Sequence, residues 1–138
     1  MPHLVATALT GAALALLPAE AAAAPAPPAD RPPAAAPATS LRLTLSHPGE
    51  GASGARSVTL QCDPLGGTHP RAAQACADLA RSGGEIEREP AGDTACTMIY
   101  APVIAEARGH WRGRPVSFRA EYANDCVLGA RTGAIFRF

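Results

Sequence analysis

The stretch "SVTLQCDPLGGTHPRAAQACADLARSGG", residues 57–84, changes its hydrophobic period halfway along and so decides the class of fold. In its first six residues Val58, Leu60 and Cys62 alternate with Thr59 and Gln61, the two-residue repeat of a strand with one buried face. From Thr68 onward the spacing is helical: Pro70 suits a first helical turn, Ala72, Ala75, Cys76 and Leu79 share a face, and Gly83 can form the C-terminal cap. A one-faced strand beside a one-faced helix calls for a sheet layer packed on a helix layer, an α+β arrangement.

The flanking sequence extends the sheet. Upstream, "LRLTLS" (41–46) alternates Leu41, Leu43 and Leu45 with Arg42, Thr44 and Ser46, and the turn-rich "HPGEGASGAR" (47–56) joins it to the strand after it as an antiparallel pair. Downstream, the acidic "GEIEREPAGDTA" (84–95) leads to a strand around Val103 to Arg108, a tight connection at "GHWRGR", and a strand "PVSFRAEY" with Val116, Phe118, Ala120 and Tyr122 on one side. The closing "AIFRF" is predicted to be a strand as well. The count is about five strands and one or two helices, with no internal repeat.

The opening of the chain is of another kind. An apolar run from Leu4 to Leu17, a break at Pro18 and small residues at Ala-x-Ala spacing up to Ala24 read as a secretory signal peptide over residues 1–24, although no Lys or Arg precedes the run. Residues 25–39 form a Pro/Ala-rich arm that cannot bury a core. The domain therefore starts at Ser40 and runs to Phe138, about 100 residues, small enough for cross-links to matter to its stability. The mature protein is expected outside the cell and off the membrane.

All 12 basic residues are arginine, and 12 acids balance them at a formal net charge of zero. That balance offers no electrostatic footprint for nucleic acid or an anionic membrane. In an exported chain the four cysteines Cys62, Cys76, Cys96 and Cys126 are expected in disulfides, with the pairing left open by spacing. No Cys-x-x-Cys and no paired-histidine spacing occurs, so neither metal nor cofactor is expected. His47, His69 and His110 have acids and serines for company but no nucleophile elbow and no His-Glu-x-x-His, which argues against a hydrolase. His69, before Pro70, reads as structural at a helix start, and Trp111 as a core or interface anchor.

One stretch fits none of this. "ACTMIYAP" (95–102) sets Met98, Ile99 and Tyr100 consecutively between a cysteine and Pro102, which would sit badly in a central strand. Such a segment is displayed.

Taken in order, "VTLQC", "GTHPRAAQACADLARSGGEI", "CTMIYAPV", "GHWRGRPVSF", "NDC" and "IFRF" carry a resemblance over about residues 40 to 138 to the subtilisin inhibitor-like proteins secreted by Streptomyces and relatives. The resemblance implies a five-stranded antiparallel sheet with one longer and one short α-helix packed on one face, and usually a homodimer. It implies inhibition of secreted serine proteases of the subtilisin type, not enzymatic activity. It also implies the pairings Cys62–Cys76 and Cys96–Cys126, and a reactive bond at Met98–Ile99 in a protease-binding loop of Ala95, Cys96, Thr97, Tyr100, Ala101 and Pro102. Asn124, in "NDC", sits where it can either hydrogen-bond to that loop from beneath or serve a purely structural turn. Thr97 stands where the best-known member has proline, Ala95 where it has a larger apolar residue, and Ala101 where it has an acid. Ala95 offers little to an outer apolar pocket, a loss of about 1 to 2 kcal/mol on area grounds. The rival expectation is a small secreted disulfide-stabilised binding module, with Trp111 and the Pro/Ala arm as its contact features.

Overall fold

The computed structural model describes residues 36–90 and 94–138, so the expected signal peptide and nearly all of the arm lie outside the described residues. The elements run β1 (Thr39–Ser46), β2 (Arg56–Cys62), β3 (Gly66–Gly67), α1 (Ala72–Arg81), β4 (Val103–Trp111), β5 (Arg114–Tyr122) and α2 (Asp125–Thr132), with a 3-10 turn at Gly51–Gly54 between β1 and β2. The strands form one five-stranded sheet in the order β3-β2-β1-β4-β5, every pairing antiparallel. Among the described residues no helix is long and apolar enough to cross a membrane.

Register explains why alternation was so regular. Leu43 on the central strand faces Val58 on one side and Ala107 on the other, and Ala107 in turn faces Phe118, so one apolar row crosses four strands. Leu41–Leu60 and Leu45–Ala105–Ala120 repeat the pattern on the same face. The opposite face carries Arg42, Arg108, Ser117 and Arg119, with Arg119 donating to Glu106 across the β4–β5 ladder at 2.6 Å. An antiparallel sheet can leave such a face in water because every ladder bond is made within the sheet. Gly109 lies where β4 passes close against β1: it sits at φ +144, and a Cβ there would collide with the Ser40 carbonyl of β1.

Both helices cover the apolar face, where Leu79 of α1 and Leu128 of α2 share one core with Leu41, Leu43, Leu60 and Val103. A disulfide between Cys62 and Cys76 ties α1 to β2. The helix begins at Ala72, later than its sequence predicts, so Pro70 precedes it. The buried His69 ring takes over at that end: its Nδ1 accepts from the Arg71 N–H at 3.0 Å, which leaves Nε2 to donate to the Ile135 carbonyl at 3.0 Å. Burial holds this imidazole below its ordinary pKa against the opposing pull of the Ile135 carbonyl, so it stays neutral and structural.

Asp78, on the inner side of α1, is a buried acid that apolar periodicity did not single out. Its carboxylate accepts from the Ala134 N–H at 2.7 Å and faces Arg88 at 3.4 Å and Arg81. Burial alone would raise its pKa, but the Ala134 N–H and the two guanidinium groups outweigh it and hold the carboxyl below the usual range.

The closing "AIFRF" is not a strand. Gly133, at φ +62, ends α2 and turns the chain, after which Ile135 and Phe136 are both buried in succession under turn-type bonds from Ile135 to Thr132 and from Arg137 to Ala134. Two adjacent inward side chains are incompatible with a strand's alternation, and packing of Phe136 beside Phe118, ring centroids 6.3 Å apart, outweighs its β-propensity. The fifth strand is instead the pair of glycines at β3, set on the edge of β2.

Candidate functional site

Between the acidic connection and β4 the chain from Ala95 to Pro102 has no regular structure, and it holds the three exposed large apolar residues that stand together: Met98 at 99%, Ile99 at 67% and Tyr100 at 72%. Scattered exposed apolar residues are ordinary, whereas three in a row on one projecting segment mark a contact surface. An open concavity of about 370 Å³ separates the segment from the first turn of α2, bounded by Thr97, Met98, Tyr100, Asn124 and Val127. The segment therefore does not rest on the core. Specific ties must set its position.

Four such ties are present. A disulfide from Cys96 to Cys126 fixes the upstream flank to the first turn of α2. Downstream, the Ala101 N–H donates to the Ala123 carbonyl at 2.8 Å, after which Val103 enters β4 opposite Tyr122. The Tyr100 hydroxyl donates to Glu121 Oε1 at 3.3 Å. In the middle the buried Asn124 amide donates to both the Thr97 carbonyl, at 3.1 Å, and the Ile99 carbonyl, at 2.8 Å, one on each side of Met98.

Asn124 can serve the segment because α2 holds it still. It is the N-cap residue of that helix, and its Oδ1 accepts from the Val127 N–H at 3.0 Å. With the oxygen committed to the cap, the two amide hydrogens point the other way, at the two carbonyls. One side chain thus satisfies a helix end and two loop acceptors, leaving little freedom in the backbone from Thr97 to Ile99. Cys126, two residues on, belongs to the same capped turn.

The residues singled out from the sequence are thus brought together: Ala95 to Pro102 form one arc, exposed except at the half-buried Cys96 and Pro102, with Asn124 and Cys126 beneath it. Glu121 and Ala123 were missed. Their roles depend on the β5 register and on a backbone carbonyl, and neither leaves a pattern in the sequence. Thr97, Ala95 and Ala101 are exposed, while Pro102 is half-buried at the mouth of β4.

The other candidates are not gathered into a site. His47 lies 3.8 Å from both Glu50 and Asp125, His69 is committed to the helix start, and His110 pairs with Ser40 and Pro115 in the sheet. Among the described residues no three His, Cys, Asp or Glu side chains are grouped to hold a metal. Trp111 is 3% exposed, packed against Gly84 with the Arg112 guanidinium 5.0 Å from its ring centroid, so it is a core residue and not a stacking platform. This removes the main contact feature of the binding-module reading.

The family model described as subtilisin inhibitor-like matches residues 37–124. A putative serine protease inhibitor of Streptomyces avermitilis is 48% identical over 88 residues, 64% of this chain and 60% of its own length, so the chain spans less than two thirds of that relative. Subtilisin inhibitor-like protein 2 of Streptomyces rochei is 42% identical over 105 residues, 72% of this chain and 92% of the relative. Among solved structures, Streptomyces caespitosus sermetstatin in complex with Bacillus licheniformis subtilisin superposes with a TM-score of 0.57 at 29% identity, covering 72% of this chain and 97% of that one.

Proposed function

The chain belongs to the subtilisin inhibitor-like family, and on that premise we propose that it is a substrate-like inhibitor of subtilisin-type serine proteases with its reactive bond at Met98–Ile99. The observation that carries the reading is the exposed run Met98–Ile99–Tyr100, held at both ends and from beneath by Cys126, Ala123 and Asn124.

In this reading the segment pairs with the protease cleft as an added strand while the Met98 side chain fills the primary specificity pocket. An unbranched thioether suits a wide apolar pocket, and its burial contributes about 1.5 to 3 kcal/mol. Ala95, Cys96 and Thr97 lie along the cleft before the bond, and Ile99, Tyr100 and Ala101 after it. The ties decide why such a segment is bound and not consumed. A loop already in the bound shape loses little conformational freedom on association, and cleaved ends that cannot separate keep the new amine beside the acyl group, so religation competes with water.

The same proposal takes residues 1–24 as a signal peptide, 25–38 as an extended arm and 39–138 as the inhibitory domain, one residue longer than the sequence reading because the buried Thr39 opens β1 opposite Cys62, with the mature protein secreted and, by resemblance to the family, a homodimer. The test is titration of a fixed amount of active subtilisin with the purified protein against a chromogenic peptide. Linear loss of activity to zero near one domain per protease is the expected result. Turnover of the peptide by the protein itself, or no effect on the protease, would overturn the reading.

A further inference from the structure

We propose that Met98 is an oxidation site that makes the inhibitor redox-sensitive: a hydroperoxide converts its thioether to the sulfoxide and weakens the free inhibitor, and thiol-dependent reduction restores it. This rests on the proposed placement of Met98 in the protease's primary pocket.

The structure concentrates the sulfur chemistry on one atom. The chain has two methionines, Met1 at its start and Met98, and all four cysteines are consumed in disulfides, so no thiol competes for oxidant. Met98 is 99% exposed, and the ties on either side prevent it from withdrawing into the core. The easily oxidised indole of Trp111 is buried. Thioether oxidation follows access, so oxidant reaches the proposed specificity residue before any other side chain of the domain.

The chemistry balances with a hydroperoxide as co-reactant. A sulfur lone pair attacks the distal peroxide oxygen, an S–O bond forms as the O–O bond breaks, and two electrons pass from sulfur to the peroxide. With hydrogen peroxide the second oxygen leaves as water. In the reverse direction two thiols take up the oxygen as water and become a disulfide. The sulfoxide keeps the length of the side chain but adds a strong acceptor at its tip, and an apolar pocket gives that acceptor no donor. Binding should weaken by about tenfold to a hundredfold. In the complex the sulfur is covered, so the free inhibitor is the oxidisable form.

The experiment treats the full chain with dilute hydrogen peroxide, removes the oxidant, and measures the inhibition constant against subtilisin, the melting temperature, and the oxygen added to each methionine by peptide mapping. The expected result is one oxygen on Met98, a tenfold to hundredfold weaker inhibition constant, an unmoved melting temperature, and recovery with methionine sulfoxide reductase. Met98→Leu should show the same inhibition constant before and after treatment, whatever its own strength. Mapping of a preformed complex should find Met98 protected. Full conversion of Met98 with an unchanged inhibition constant would overturn this proposal alone, as would a Met98 that resists peroxide while free methionine in the same tube is oxidised. An untreated protein that fails to inhibit would overturn the proposed function and this inference with it.

Discussion

Changing Asn124 to aspartate separates the loop from the helix it caps. The Asp oxygen can still accept from the Val127 N–H, now 3.0 Å from Asn124 Oδ1, and a negative charge at the start of α2 is favourable by about 0.3 to 1 kcal/mol. What is lost is the pair of donors to the Thr97 and Ile99 carbonyls, replaced by a carboxylate oxygen facing two carbonyl oxygens. At about 0.5 to 1.5 kcal/mol per bond the segment loses roughly 1 to 3 kcal/mol of positioning, before any repulsion. If that freedom is the difference between a bound loop and a consumed one, the lifetime of inhibition should fall by about 5-fold to 150-fold. Asn124→Ala should lose the cap too, another 1 kcal/mol or so, and with it about 4 to 8 °C of melting temperature. The assay follows protease activity over hours with catalytic amounts of subtilisin, alongside a thermal melt of each variant. Aspartate should shorten inhibition and lower the melt by the loop bonds alone, whereas alanine, which also loses the cap, should lower the melt further. An aspartate variant that inhibits as long as the parent would show that the amide does not hold the loop.

The disulfide makes a parallel test. Replacing Cys96 and Cys126 by serine opens a 30-residue link, worth about 3 to 4 kcal/mol in the chain-entropy model, while Cys62–Cys76 still staples α1 to β2; inhibition should become temporary, and lasting stoichiometric inhibition would place the rigidity elsewhere. Met98→Lys should gain trypsin inhibition and Met98→Asp should lose subtilisin inhibition, since a carboxylate buried in an apolar pocket is unpaired; an Asp variant as potent as the parent contradicts the assignment. For pH, the Asp78 carboxyl is depressed in the fold, so the unfolded chain binds more protons in acid: the stability it contributes is complete above about 4, the ordinary carboxylate range, and is lost as pH falls through its folded value. Asp78→Asn should flatten that acid limb in melts taken from pH 7 downward, and an unchanged acid dependence would refute the coupling.

Much of the sheet was legible because one of its faces is buried and the other wet. Leu41, Leu43 and Leu45, and later Val116, Phe118, Ala120 and Tyr122, alternate because a one-residue slip would turn every apolar side chain outward. The helix α1 was legible by its spacing, though the His69 ring, a contact from outside the helix, governs its start. The edge strand β3 was not legible, since two glycines carry no pattern. The final "AIFRF" was misread because Ile135 and Phe136 are strong strand formers whose adjacent burial is decided by the core they meet. The second helix left a signal that went unused: Asn124 as a cap, Asp125 in the first turn, Arg131 in the last and Gly133 beyond. At the site, three consecutive large apolar residues before a proline were readable as a display. The Ala123 carbonyl and the Glu121 carboxylate that steady it were not, because they reach the segment only through the β5 register.

The reactive bond itself is the claim to measure. Prolonged incubation of the protein with catalytic subtilisin, followed by reduction and fragment sequencing, should show one nick, with a new N-terminus beginning Ile99-Tyr100-Ala101 and the two fragments held together until the disulfides are reduced. A first nick at any other bond, or rapid digestion of the domain with no preference for Met98–Ile99, would contradict the account.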